Sequence, residues 1–474
     1  MQLKQVNGRR RSTAALVYEG AAGAFPENPI DAIVVGVGPS GMVALRTLLR
    51  DDPPLSVLAV DRQNVGGGIW TGHIPSYSTL QDLKCEYEVH GVKFPQQQPP
   101  RRGPRDQVAK FCDEYIKEFG LREHVLWQHD VVKVEMVKPM LHRIEIRQWG
   151  KGVENPVTAT VYTRSVLVCT GHNILTYVPE LPGQETATFP IKHNNDIREA
   201  SEIPKSDVIV IGAGPSAMDM VQEACVTQGA TNVHVVARTA HWGAPDMWWP
   251  LLHRYGWSEI YILGVFYYWL PIFVADALLY YIGVFWAWWH AIPEWMPPKK
   301  DSVSSKVAYI LRTHLLAPYK AGQFRIHNDC RVKLIEGDRV TLTDGTVLYP
   351  KMLIAATGWS TDSSFLPGGE KSGEYDSLAA ADIPRPLYLR FYDQEYPGIF
   401  YISMSNGYMA YTHNSSFLSQ CIVQILRGTW TPPSRQQMER NCREVVTKYV
   451  GLPGRLKLDL EEEGFATLRW KDER

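Results

Sequence analysis

Two glycine clusters carry the residues best suited to chemistry, and each is followed at a distance by one charged side chain. Gly36, Gly38 and Gly41 form G-x-G-x-x-G in "VVGVGPSG", and Asp61 ends the next β-rich run, 25 residues past Gly36. Gly212, Gly214 and Ala217 form G-x-G-x-x-A in "VIGAGPSA", and Arg238 stands where the first copy has its aspartate. In such a turn the first glycine permits a sharp bend and the second lets the backbone approach a pyrophosphate. The third small residue lets the following helix pack against the strand, with the helix amino end facing the anion. A carboxylate at Asp61 can accept hydrogen bonds from ribose hydroxyls. A guanidinium at Arg238 can hold a 2′-phosphate that a carboxylate would repel. The plain alternatives are an ordinary glycine turn and a solvated arginine at a strand end. Two dinucleotide folds imply two dinucleotides, one a flavin and one a nicotinamide, with hydride passing from NADPH to FAD.

The elements that position these residues are legible nearby. Ile33–Val35 is a β-branched run suited to a strand buried on both faces, and Met42–Leu49 is helix-forming. The second copy repeats this order, with a strand at Val208–Ile211, then a helix, then "NVHVVARTAHW". Period-2 alternation in "VVKVEMVKPMLHRIEIRQ" and "TATVYTRSVLVCTG" predicts an antiparallel excursion inside the first fold. At 474 residues the chain has room for two or three domains. With 49 basic and 50 acidic residues it offers no basic stripe for nucleic acid. Its seven cysteines are scattered without a C-x-x-C pair, which points to a reducing compartment and away from a redox dithiol. No histidine or cysteine set has zinc-like spacing, and His172 and His413 read as polar loop residues. The amino terminus has no apolar run behind its basic patch and the carboxyl end carries no anchor, so the expected location is intracellular rather than secreted.

The chain resembles the class B flavin-dependent monooxygenases, the group of flavin-containing and Baeyer–Villiger monooxygenases. The resemblance rests on "GPSG", "GGGIW" (Gly66 to Trp70), "VLVCTGHN", "PELPG" (Pro179 to Gly183), "VIVIGAGPSAMD" and "MLIAATGWSTD", in that order. It implies a cofactor set of Gly36, Gly38, Pro39, Ser40, Gly41, Asp61, Arg62, Gly68, Ile69, Trp70, Val131, Thr170, Gly171, Thr357 and Gly358. Around the second turn it adds Gly212, Gly214, Pro215, Ser216, Ala217 and Arg238. There are departures. The family's F-x-G-x-x-x-H linker corresponds to "FPIKHNNDI", where Phe189 and His193 stand closer and the glycine is missing. The T-N pair of flavin-containing monooxygenases is replaced by "YSTLQDLKCEY", which leaves Asp82 as the candidate catalytic carboxylate near the flavin; the alternative is a loop carboxylate facing water. The implied chemistry is reduction of FAD by NADPH, addition of O₂ as a flavin (hydro)peroxide, and transfer of one oxygen atom to substrate. The cofactor carries that chemistry while the protein positions groups and excludes water.

The expected fold is α/β, with two Rossmann-like dinucleotide-binding domains, the second inserted in the first. Residues 1–28 form an arm, 29–200 and 350–474 the FAD domain, and 201–349 the NADPH domain with an apolar insertion at about 243–300. The stretch Tyr261–Trp289 has 12 aromatics in 29 residues and Asp276 as its only charge. A single membrane span is untenable, because the chain must return to the same body on both sides of it. Pro271 and Asp276 instead predict two short helices, about 260–270 and 276–290, folded as a hairpin. A membrane-dipping hairpin flanked by Arg254, Lys299 and Lys300, a lid over the active site and a plain buried core all remain open. The first two imply a bulky apolar substrate, from lipid or a natural-product pathway. Two rival functions are an NADPH-dependent flavin reductase without oxygen transfer and a membrane-associated interaction protein with vestigial nucleotide folds.

Overall fold

The computed structural model describes residues 5–6, 9–10, 23–80, 83–94, 102–150, 156–171, 175–239, 242–245, 270–296, 308–311, 313–369, 387–402 and 411–448. The chain is mixed α/β with parallel sheets. It divides into two compact units: residues 1–71, 82–174 and 361–474 form the first, and residues 72–81 and 175–360 the second.

In the first unit, β1 (Ile30–Val35) leads through a glycine turn into α1 (Pro39–Leu49) and back to β2 (Val57–Asp61). There follow α2 (Arg105–Glu118), β3 (Val125–Trp127), β4 (His129–Lys138), β5 (Leu141–Gln148) and β6 (Thr158–Val168). The sheet runs β3-β2-β1-β6-β5-β4, and the strand Ile399–Tyr401 also pairs with β6. β1 is parallel to β2 and β6, with Val35 level with Val60 and Val168, so three strand ends share one edge. All of β2 is buried, as the apolar run Val57–Val60 requires. β4, β5 and β6 are antiparallel, and β5 alternates buried and half-buried residues along the period-2 stretch. α1 buries Met42, Val43, Leu45 and Leu48 and packs against the helix Tyr411–Arg427.

In the second unit, β7 (Ile191–His193), β8 (Ser206–Ile211), β9 (Thr231–Val236), β10 (Phe324–His327) and β11 (Met352–Ala355) form a parallel sheet in the order β7-β11-β8-β9-β10. Its register sets Ile211 level with Val236 and Ala355, and Ala355 level with His193. α3 (Pro215–Val221) follows β8 and continues as a π-helical turn, Gln222–Thr227.

The aromatic stretch is only partly described, because residues 260–269 lie outside the described residues. α4 (Ile272–His290) begins directly after Pro271, four residues earlier than expected, and Asp276 lies inside it. A proline with φ −54° suits a helix entrance and cannot continue a preceding helix. One side of α4 is core: Trp286 and Ala287 are each 1% exposed and join Ile292 and Trp295 under the sheet. The other side faces outward with Phe273, Tyr281, Phe285, Trp288 and Trp289. Among the described residues no helix is long and apolar enough to cross a membrane.

Candidate functional site

The first glycine turn sits at the carboxyl ends of β1 and β6. Gly36 has φ +92°, and its N–H donates to Val60 O at 2.8 Å. A Cβ on Gly36 would lie 2.8 Å from Cys169 O, and one on Gly41 would lie 1.9 Å from Gly36 O. These two glycines are therefore required by the protein's own packing. Cys169, Thr170 and Gly171 follow β6, and Cys169 and Thr170 lie against the turn, with Thr170 Cα 3.3 Å from that Gly36 position. Burial pushes the Cys169 thiol well above its ordinary range, which keeps it neutral.

Asp61 is buried at the end of β2 and holds two backbone donors. Its Oδ2 accepts from Val37 N at 2.6 Å and its Oδ1 from Gln63 N at 2.7 Å. A carboxylate expected to face ribose thus also fastens the glycine turn from beneath. Gln63 was not legible as a site residue, yet its Nε2 donates to Gly68 O at 2.9 Å and so ties β2 to the "GGGIW" turn. That turn lies directly against the first one: Gly67 N donates to Val37 O at 2.9 Å, and a Cβ on Gly68 would stand 3.1 Å from Gly38 Cα. Ile69 and Trp70 are half-buried beside it. Pro39 occupies the first turn of α1 and Ser40 is buried there. Arg62 points to Asp130, with Nε 2.7 Å from Oδ1, and its guanidinium lies 5.0 Å from the Trp149 ring centroid. Val131 is buried in β4 at a register shift of the β4–β5 pair.

The second turn is built in the same way on β8. Gly212 has φ +114°, donates to Val236 O at 2.9 Å, and would place a Cβ 2.2 Å from Ala356 O. Ala217 is fully buried where α3 meets the sheet, and Pro215 opens that helix beside Ser216. Arg238 lies exposed just past β9. Thr357 and Gly358 follow β11 in the second unit; Thr357 Oγ1 donates to Tyr177 O, and Gly358 O is 3.1 Å from His193 Nε2. Burial lowers the His193 pKa, with the Gly358 carbonyl partly offsetting it. Hence the departing linker histidine is anchored to the late "ATG" turn. Asp82 and His172 lie outside the described residues.

The middle glycines differ from their neighbours. Gly38 has φ −70° and ψ −174°, open to any residue, and a Cβ there would meet only Gly68, at the ordinary contact distance of 3.6 Å. Gly214 has φ −78° and ψ −173°, and a Cβ there would meet nothing within 4 Å among the described residues. Neither the backbone nor the packing calls for glycine at these two positions. A phosphate laid against the turn does call for it, so the residues present fit a dinucleotide at each turn.

Parallel sheets with a glycine turn at the carboxyl edge of each unit define an α/β protein suited to nucleotides. A family model described as flavin-binding monooxygenase-like matches residues 31–450, and the chain belongs to that family. Among curated proteins it is 25% identical over 234 residues to flavin-containing monooxygenase FMO GS-OX-like 7 of Arabidopsis thaliana, covering 44% of this chain and 48% of that protein. It is 25% identical over 250 residues to trimethylamine monooxygenase of Roseovarius sp. (strain 217), covering 47% and 54%. The chain thus spans about half the length of the curated relatives it matches first. The rice (Oryza sativa subsp. japonica) indole-3-pyruvate monooxygenase YUCCA1 matches at 22% identity over 70% of this chain and 77% of its own length. In fold, the chain is similar to Tmm from Pelagibacter sp. strain HTCC7211 (TM-score 0.63, 16% identity, covering 91% and 84%). It is also similar to cyclohexanone monooxygenase (TM-score 0.65, 14% identity, covering 91% and 97%).

Proposed function

We propose that the chain is an FAD-dependent, NADPH-consuming monooxygenase that inserts one oxygen atom of O₂ into a bulky apolar small molecule. The balance is substrate, NADPH, H⁺ and O₂ giving oxygenated substrate, NADP⁺ and water. The observation that carries this reading is the pair of middle glycines, Gly38 and Gly214, which the protein itself does not need. The charges that follow them, Asp61 in one copy and Arg238 in the other, distinguish the two nucleotides. FAD is assigned to Gly36–Gly41, Asp61 and Gly68–Trp70, and NADPH to Gly212–Ala217 and Arg238. In domain terms, the unit of β1–β6 serves FAD and the unit of β7–β11 serves NADPH; the expected boundaries at 200 and 350 move to 174 and 361, because β7 and β11 belong to the second sheet. Asp82 is assigned to the flavin's reacting side. The outward aromatic face of α4 supports a bulky apolar substrate, delivered by a lid or from a membrane surface. A natural-product role is consistent with such a substrate.

The test is turnover under ¹⁸O₂ with candidate ketones, amines and thioethers. One labelled oxygen per product, with yellow enzyme and preference for NADPH over NADH, is the expected result. NADPH oxidation without labelled product would replace the proposal by a flavin reductase.

A further inference from the structure

The segment 72–81 follows the "GGGIW" turn in sequence but packs with the second unit. It leaves the first unit directly after Thr71, at Gly72. Tyr77 and Arg198 bond it to the second unit. The Tyr77 hydroxyl donates to Ile197 O at 2.8 Å, with Asn194 O at 3.4 Å and Met220 Sδ at 3.7 Å. Arg198 Nη1 donates to His73 O at 2.9 Å and lies 3.4 Å from Gly72 O. The turn 194–196 that receives Tyr77 continues directly from β7 and packs against α3, the helix that opens at Gly214. Met220 is itself part of α3. Burial and the carboxylates of Asp219, Glu223 and Glu202 push the Tyr77 pKa far up, so the phenol stays a donor at any working pH.

We infer that Tyr77 and Arg198 are positioning residues that make nucleotide occupancy at the second turn felt at the flavin turn. This inference rests on the cofactor assignment above. The physical route is short. A displacement of α3 or of the 194–198 turn moves Tyr77 and the backbone at 72–73. From there one residue, Thr71, leads to Trp70. Thr71 Oγ1 donates to Gly68 O at 2.8 Å, so the end of the strap is bonded to the flavin turn. Coupling of this kind is a difference in docking between the two states of one element.

The test uses FAD-loaded enzyme and the variants Tyr77→Phe, Arg198→Ala and Arg198→Lys. Hydrogen exchange of amides 72–80 is measured with and without NADP⁺, alongside NADP⁺ affinity by calorimetry and the flavin absorbance change on titration. In the unmodified enzyme NADP⁺ should slow exchange in 72–80 and perturb the flavin spectrum. Tyr77→Phe should speed exchange there about fivefold, as loss of one hydrogen bond predicts. It should also shrink the flavin response at least about twofold, while NADP⁺ affinity changes less than about threefold. Arg198→Ala should act similarly and Arg198→Lys should recover part of the effect, since an ammonium can still reach a carbonyl. Variants that stay folded with an unchanged flavin response overturn the inference. So do variants that lose NADP⁺ affinity, FAD and thermal stability together, because that is a merely structural role. An unmodified enzyme that binds no NADP⁺ would overturn the cofactor assignment first.

Discussion

Replacing Gly41 with alanine tests the first turn most directly. The added Cβ would lie 1.9 Å from Gly36 O, 2.9 Å from Gly36 C and 3.3 Å from Cys169 Cβ. An ordinary carbon–oxygen contact is about 3.3 Å, so α1 would have to retreat from β1 by more than roughly 1 Å. The two nearest partners are backbone atoms of Gly36, which no side-chain rotation can move aside. Overpacking of this kind costs about 1–3 kcal/mol or more, equivalent to a loss of about 1–3 °C in Tm for a chain of this size. Retreat of α1 also moves the N–H groups that would face the FAD pyrophosphate. Loss of two charge-assisted bonds at about 1.5–3 kcal/mol each weakens FAD binding by at least about a hundredfold. The assays are flavin absorbance per protein after purification, FAD titration of the apoprotein, and thermal melts. Gly214→Ala is the matched contrast. With nothing within 4 Å of its Cβ it should leave Tm unchanged yet raise the NADPH Michaelis constant. A Gly41→Ala protein with full FAD and an unaltered melt would refute the steric argument. Unchanged NADPH kinetics in Gly214→Ala would refute the ligand-facing role of the middle glycine.

Arg238→Ala should raise the NADPH Michaelis constant roughly tenfold or more with little effect on NADH, as loss of a charge-assisted contact predicts; equal use of both nucleotides by the unmodified enzyme would sink the assignment. Asp82→Ala should retain FAD but uncouple turnover, NADPH, H⁺ and O₂ giving NADP⁺ and H₂O₂, and a peroxide assay showing unchanged coupling would place Asp82 outside the site. His142 is fully buried, with Nε2 3.2 Å from Pro397 O, and burial pushes its pKa down to about 4. The unfolded chain keeps a value of about 6.5 and so binds the extra proton first. Stability is full above about pH 6.5 and falls by up to roughly 3 kcal/mol as the pH drops toward 4. In melts across that range His142→Gln should show a shallower pH slope, and an unchanged slope would remove His142 as the cause. On α4, Trp288 and Trp289 are 69% and 67% exposed, and exchanging both for serine should spare Tm but lower pelleting with phosphatidylcholine vesicles. Undiminished pelleting would count against the membrane surface. Trp286→Ala, at a site 1% exposed, should instead cost about 3–5 kcal/mol.

Local requirements were readable without coordinates. A bend at φ +92° or +114° and a helix packed onto its own strand each demand a small residue at a set spacing. Both turns, their flanking strands and the antiparallel excursion of β4–β6 were therefore visible in residue order alone. So was the break at Pro271, because proline acts on its own backbone. What depends on residues distant in sequence was not visible. That Asp61 holds Val37 N, or that Gly68 abuts Gly38, follows from β2 lying beside β1. That Gln63 joins β2 to the second glycine turn follows from the same pairing. Periodicity could not show that residues 72–81 pack with the second unit, since the bonds of Tyr77 to Ile197 O and of Arg198 to His73 O join residues more than a hundred positions apart. Nor could a glycine fingerprint say which glycines the packing requires. The tertiary structure does, because it alone shows what a Cβ at Gly36, Gly41 and Gly212 would strike and that, among the described residues, Gly38 and Gly214 have room for one.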